Sequence, residues 1–199
     1  MTYKLPNLLT YSRILAVPVV VVLMMVESPL GNWLTLVVFI AAGVTDILDG
    51  HLARKWGQQS SLGRILDPIA DKLLVSAVLL MLVGVDTLQG LALLPAAIIL
   101  CREIMVSGLR EFLADVRVSV PVSRLAKWKT GLQMVMIGFL IVGDAGPQFG
   151  PFSTTEVCVA GLLVAAVLTV VTGFDYLLAS LRHVGVGSRG KSPHASGGR

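Results

Sequence analysis

Residues 46–71 read DILDGHLARKWGQQSSLGRILDPIAD, and they set four carboxylates, Asp46, Asp49, Asp67 and Asp71, inside two stretches that otherwise read as membrane-spanning helix. At about 100° per residue, Asp46, Asp49, Gly50 and Ala53 share one helix face, and Gly63, Asp67 and Asp71 form a second stripe. An Asp near the centre of a membrane helix costs about 2.5 to 3.5 kcal/mol, so four uncompensated ones would cost on the order of 10 kcal/mol, which rivals the stability of a whole domain. Something must compensate them. Arg54, Arg64 and Lys72 are near enough in sequence to pair with them if the motif merely holds a bundle together. Alternatively, two facing helices that offer only hard oxygen ligands suit one or two divalent cations of the Mg²⁺ or Mn²⁺ type, and two such ions would cancel the four charges. The small residues favour the cations: Gly50, Ala53 and Gly63 clear space beside the carboxylates, so that a ligand can approach the helix backbones.

Composition points to the same setting. Of 199 residues, 55% are hydrophobic and 14% charged, with a mean hydropathy of +0.82, which predicts an all-α integral membrane protein in one bundle. Apolar runs at about 8–27, 33–56, 64–85, 91–113, 125–143 and 155–180 are each near or above the roughly 20 residues a transmembrane helix needs, giving six spans. The segments 27–32, 86–90 and 143–154 contain no Lys or Arg. Lys4, Arg13, Arg54, Lys55, Arg64, Arg110, Arg117, Arg124, Lys127, Lys129 and Arg182 cluster at the other ends of the runs. By the positive-inside rule both termini and the 46–71 connection face the cytoplasm. Residues 1–182 therefore form the transmembrane domain, and 183–199, rich in Gly, Ser and basic residues, a disordered tail on the membrane surface. The net charge of +4 reads as topology and attraction to anionic headgroups, and no basic-aromatic pattern points to nucleic acid. Cys101 and Cys158 lack metal-ligand spacing, His51 falls at a variable position of the motif, and Asp175 is a boundary residue.

The pattern Asp46-x2-Asp49-Gly50-x2-Ala53-Arg54-x8-Gly63-x3-Asp67-x3-Asp71 resembles the signature of the CDP-alcohol phosphotransferase family, and it meets every fixed position. The resemblance implies six transmembrane helices, usually as a homodimer, and a site of one or two divalent ions that grips the pyrophosphate of a CDP-linked substrate. The bond broken would lie between the two phosphates, with CMP leaving. It further implies that Asp46, Asp49 and Asp67 are metal ligands and that Asp71 is the base, with a share in metal binding. Asp46, Asp49, Gly50, Ala53, Arg54 and Gly63 match the nucleotide-binding positions. No Ser, Cys or His in the motif is placed as a nucleophile, which favours a single displacement. Pro68 cannot donate to the Arg64 carbonyl, and the resulting kink would aim Asp67 and Asp71 toward the first stripe.

A second cluster, Arg102, Glu103, Ser107, Arg110, Arg124, Lys127, Lys129 and Thr130, lies on and between the fourth and fifth runs. Its cations would set topology in any case, yet Arg102 and Glu103 lie deeper, where a paired or functional role is the default. Several Arg and Lys together suit a phosphorylated acceptor, with Arg110, Arg124, Lys127 and Lys129 on its phosphate. The words Arg102-Glu103-Ile104, Gly108-Leu109-Arg110-Glu111, Lys127-x-Lys129-Thr130 and Asn7-Leu8-Leu9-Thr10-x2-Arg13 resemble the branch of the family whose substrates are CDP-diacylglycerol and glycerol 3-phosphate. Asn7, Thr10 and Arg13 would support the site. Sister branches with phosphatidylglycerol or an inositol phosphate as acceptor stay open, as does a cation transporter. The expected location is the cell membrane, multi-pass, with the site open to the cytoplasm.

Overall fold

A computed structural model of the protein describes residues 5–26, 28–56, 61–116, 118, 124–147 and 150–187. Among the described residues the long elements are all helices: α1 (Leu5–Met25), α2 (Pro29–Trp56), α3 (Ser61–Gly84), α4 (Leu93–Asp115), α5 (Arg124–Val142) and α6 (Thr154–Gly187). Local chemistry explains several of the ends. Ser28 caps α2 by accepting from the Gly31 N–H at 3.0 Å, and Pro29 sits in the first turn, where a missing N–H costs nothing. At α6, Ser153 and Glu156 form a reciprocal capping box, with Ser153 N–H donating to Glu156 Oε2 at 2.9 Å and Glu156 N–H to Ser153 Oγ at 3.1 Å. Asp86, at φ 59, turns the chain after α3, a left-handed position that Asp tolerates better than most residues. The helix α6 runs on to Gly187, past residue 182 where the tail was expected to begin, and residues 188–199 lie outside the described residues.

Among the described residues five helices, all but α3, are long and apolar enough to cross a bilayer. In α3 the charges of Arg64, Asp67, Asp71 and Lys72 crowd the first half and leave only residues 73–84 free of charge. The outer faces are apolar: Val22, Val37, Ile40, Leu80, Ile104, Val167 and Phe174 are all more than half exposed. Several polar side chains lie inside instead, among them Thr10, Arg13, Thr35, Arg102, Lys129, Gln133 and Thr172. That inversion belongs to a protein whose solvent is lipid, where polar groups find partners only within the bundle.

Packing divides the helices into two sets of three. Helix α1 packs on α2 and α3, α6 packs on α4 and α5, and the sets meet mainly where α2 lies against α5. The apolar core runs through both sets, with Val20, Phe39, Leu74, Val78, Ile99, Ile137, Leu140 and Leu162 all buried. The α1–α2, α3–α4 and α5–α6 connections, which carry no Lys or Arg, line one cavity of about 860 Å³ at the same end of the bundle.

Close approach at the α1–α2 turn makes Gly31 sensitive to a single added methyl group. A Cβ there would lie 2.7 Å from the Val26 carbonyl oxygen, a backbone atom that cannot move aside alone, whereas one at Gly108 would meet nothing within 4 Å. Gly31→Ala is expected to cost about 1 to 3 kcal/mol, and so to lower the melting temperature of the purified protein in detergent by about 3 to 10 °C. Gly108→Ala should leave it unchanged or slightly raised in the same thermal-unfolding assay.

Candidate functional site

Helix α1 holds one carboxylate of each stripe. Arg13 is buried, and its NH1 lies 2.7 Å from Asp46 Oδ1 on α2, whose side chain is 43% exposed. One turn earlier, Thr10 Oγ1 donates to Asp67 Oδ1 on α3. The two contacts bring α2 and α3 to a common arm, which is why both stripes face the same region. Asp71 lies within electrostatic reach of Asp46, Arg13, Glu103 and Lys72. The Lys72 ammonium itself donates to the Pro68 carbonyl at 3.1 Å and to Ser107 Oγ on α4. Of the three bases considered as counter-charges, Lys72 thus tethers α3 to α4, and the side chains of Arg54 and Arg64 lie outside the described residues. Arg13, which sequence proximity did not suggest as a partner, takes that place on Asp46.

Among the described residues no group of three His, Cys, Asp or Glu side chains is drawn together tightly enough to hold an ion. The set is incomplete there, because the side chain of Asp49 lies outside the described residues, together with those of Ala53, Asn7 and Arg124 and the surroundings of Gly50. What is described offers only carboxylate oxygens, with Asp46 and Asp71 on the wall of one cavity, and that donor chemistry fits Mg²⁺ or Mn²⁺ and not a softer metal. Gly63 is buried in α3 and does not line that cavity.

The cavity holds about 1050 Å³ and lies on the seam between the two sets of helices. Asp46 and Asp71 stand on its α2 and α3 side, and Arg102, Arg110, Lys127 and Lys129 on its α4 and α5 side. From there its walls continue as apolar surface, with Phe39, Ile40 and Val44 of α2 facing Met134, Val135 and Phe139 of α5. A chamber with carboxylates on one wall, cations on the other and an apolar extension is suited to a ligand that carries a phosphate and a hydrocarbon part.

The cationic wall is built around buried Arg102. Its Nε donates to the Thr169 carbonyl and its NH2 to Thr172 Oγ1 on α6, both at 3.1 Å, and its NH1 lies 3.2 Å from Glu103 Oε1. The stem fits because residue 173 is glycine; a Cβ there would stand 3.2 Å from Arg102 Cγ. Glu103 Oε1 also accepts from Lys129, which is buried on α5. Arg110 is 5.4 Å from the Tyr176 ring centroid and donates to its hydroxyl at 3.4 Å, so α6 supplies Tyr176 to the site, a residue the sequence did not single out. Of the other expected residues, Thr130 lines the cavity but donates to the Ala126 carbonyl of its own helix, and Ser107 serves Lys72.

The chain matches the family model described as CDP-alcohol phosphatidyltransferase over residues 3–174. Among its curated relatives, a Rickettsia bellii protein is 44% identical over 90% of this chain and 97% of its own length. A Cereibacter sphaeroides protein is 37% identical over 92% and 98%, and a Shigella flexneri protein 38% identical over 90% and 96%. All three are named CDP-diacylglycerol--glycerol-3-phosphate 3-phosphatidyltransferase.

The contact between Arg13 and Asp46 yields a quantitative expectation. In a double-mutant cycle of Arg13→Gln and Asp46→Asn, followed by denaturant unfolding in detergent, the coupling should be about 1 kcal/mol or more. Strictly additive effects would mean that the pair contributes nothing to holding α1 on α2.

Proposed function

This chain belongs to the CDP-alcohol phosphatidyltransferase family, and from that premise we propose that it transfers the phosphatidyl group of CDP-diacylglycerol to glycerol 3-phosphate, giving phosphatidylglycerophosphate and CMP. The observation that carries this reading is the single cavity that holds Asp46 and Asp71 opposite Arg110, Lys127 and Lys129. A nucleotide-lipid and a small phosphorylated alcohol would meet in it without a covalent enzyme intermediate. The names of relatives that share most of their length with this chain support the same substrates.

In the proposed reaction Asp46, Asp49 and Asp67, with a share from Asp71, hold one or two divalent ions of the Mg²⁺ or Mn²⁺ type. Such ions, when bound, offset the charge of the pyrophosphate oxygens. Gly50, Ala53 and Arg54 surround the nucleotide, as the family signature implies, while Gly63, buried in α3, stays off the cavity wall. Arg110, Arg124, Lys127 and Lys129 hold the phosphate of the acceptor, and Arg110 is itself steadied by Tyr176. Asp71 takes the proton from the terminal hydroxyl of glycerol 3-phosphate. That oxygen forms the new bond to the phosphorus bearing diacylglycerol, while the bond to the bridging oxygen breaks and CMP leaves with its electron pair. Positioning and charge do most of the work, so the two walls matter more than any nucleophilic side chain. The apolar extension between α2 and α5 suits the acyl chains of the lipid substrate.

The same reading makes all six helices membrane spans, with α3 entering the bilayer through its polar half beside the cytoplasm. Orientation rests on the basic residues: the three connections without Lys or Arg gather at one end, and the positive-inside rule makes that end the outer one. The site then opens to the cytoplasm of a cell-membrane enzyme, where CMP is released. A homodimer follows from the family resemblance.

Two experiments test this assignment. In mixed micelles, release of CMP from CDP-diacylglycerol should require glycerol 3-phosphate, should stop in excess chelator and should return with Mg²⁺ or Mn²⁺; full activity in chelator contradicts the metal assignment. A kinetic split should separate the walls. Asp71→Asn should lower kcat by about 100-fold or more with little change in KM for CDP-diacylglycerol. Lys127→Ala should act mainly through KM for glycerol 3-phosphate, lowering kcat/KM about 10- to 100-fold.

A further inference from the structure

Glu103 is out of place in a pocket that only grips phosphate. It lines the cavity with its side chain one quarter exposed, beside Arg102, Arg110 and Lys129, and a carboxylate there repels the anion that those cations attract. Its Oε1 is fully engaged, accepting from both Arg102 and Lys129. Its Oε2 makes no hydrogen bond among the described residues. One carboxylate oxygen therefore anchors the group rigidly on α4 and α5, and the other is left as an acceptor at the cavity.

Its position along the cavity carries the rest. Glu103 lines the same cavity as Asp71 and is in direct contact with Lys129, so it borders the space between the carboxylate wall and the cationic wall. Glycerol 3-phosphate has the same order of parts: a terminal hydroxyl that reacts, a middle hydroxyl, and a phosphate. With the terminal hydroxyl at Asp71 and the phosphate at Lys127 and Lys129, the middle hydroxyl falls beside Glu103. A hydroxyl is a donor, and the unused oxygen of a carboxylate already fixed by two cations is a strong acceptor for it. We propose that Glu103 is a specificity-determining residue that accepts a hydrogen bond from the middle hydroxyl of the acceptor, so that the enzyme distinguishes a phosphorylated triol skeleton from a simple hydroxyalkyl phosphate.

This inference rests on glycerol 3-phosphate being the acceptor, and the test separates the two. The probe is 3-hydroxypropyl phosphate, which keeps the reactive hydroxyl and the phosphate and lacks only the middle hydroxyl. The parent enzyme, reconstituted with CDP-diacylglycerol, should prefer glycerol 3-phosphate over the probe by about 10- to 100-fold in kcat/KM, the range for a hydrogen bond to a charged group. In Glu103→Gln that preference should fall to within a few-fold, mostly through loss of activity on glycerol 3-phosphate. Glu103→Asp keeps the charge that holds Arg102 and Lys129 but withdraws the oxygen by one methylene, and it should narrow the preference too. Lys127→Met, which removes a cation of the cavity that makes no contact with Glu103, should weaken both acceptors alike and keep the preference. An unchanged preference in Glu103→Gln or Glu103→Asp overturns the inference, as does its equal collapse in Lys127→Met, which would assign the effect to the phosphate clamp. No lipid product from glycerol 3-phosphate in the parent enzyme overturns the acceptor assignment and this inference with it.

Discussion

Charge carried on an apolar helix must be answered from within the bundle, and the arrangement of this protein follows from how it is answered. On one side, Arg13 and Thr10 of α1 reach Asp46 and Asp67, so the helix without a motif residue holds the motif helices together. On the other, Arg102 is satisfied by a carbonyl and a hydroxyl of α6 and by Glu103, which in turn holds Lys129. Each set of three helices thus carries its own polar core, of opposite sign at the surface where the two meet. Breaking either core leaves a charge without a partner in a medium of low dielectric, which costs more than the pair contributes when intact.

The seam between the sets is where chemistry becomes possible. Carboxylates approach from α2 and α3 and cations from α4 and α5, and the cavity between them continues as apolar surface. A carboxylate wall suits the metal ions that accompany a pyrophosphate, a cationic wall suits a second phosphate, and the apolar extension suits hydrocarbon. Bringing the two reactants into one chamber supplies much of what a displacement at phosphorus needs, since positioning turns a bimolecular encounter into an effectively unimolecular step. Anchoring each wall on a separate three-helix set also fits the proposed division of the two substrates between different residues.

Much of this was legible in the chain. Asp46, Asp49, Asp67 and Asp71 declare themselves because regular helical spacing turns short sequence intervals into shared faces, and the apolar runs announce the helices. The family resemblance carried by residues 46–71 agrees with the family match over residues 3–174. Contacts between distant helices were hidden: Thr10 and Asp67 are 57 positions apart, and Arg102 and Thr172 are 70 apart. Nearness in sequence pointed to Lys72 as a counter-charge, and it lies within electrostatic reach of Asp71, but its tie to Ser107 across the helix packing was hidden. Tyr176 had no local signal either, since its role comes from the crossing of α6 over Arg110. The end of α6 was misjudged because its apolar pattern fades before the helix does, and backbone hydrogen bonding continues to Gly187.

The central claim is that one chamber joins a nucleotide-lipid to a small phosphorylated alcohol, and the identity of the lipid product tests it most directly. Purified protein supplied with CDP-diacylglycerol, Mg²⁺ or Mn²⁺, and an equimolar mixture of glycerol 3-phosphate, glycerol, inositol phosphate and phosphatidylglycerol should yield, by mass spectrometry, phosphatidylglycerophosphate as the dominant lipid, with CMP in equal amount. A dominant product built on any other acceptor, or no new lipid at all, would contradict it.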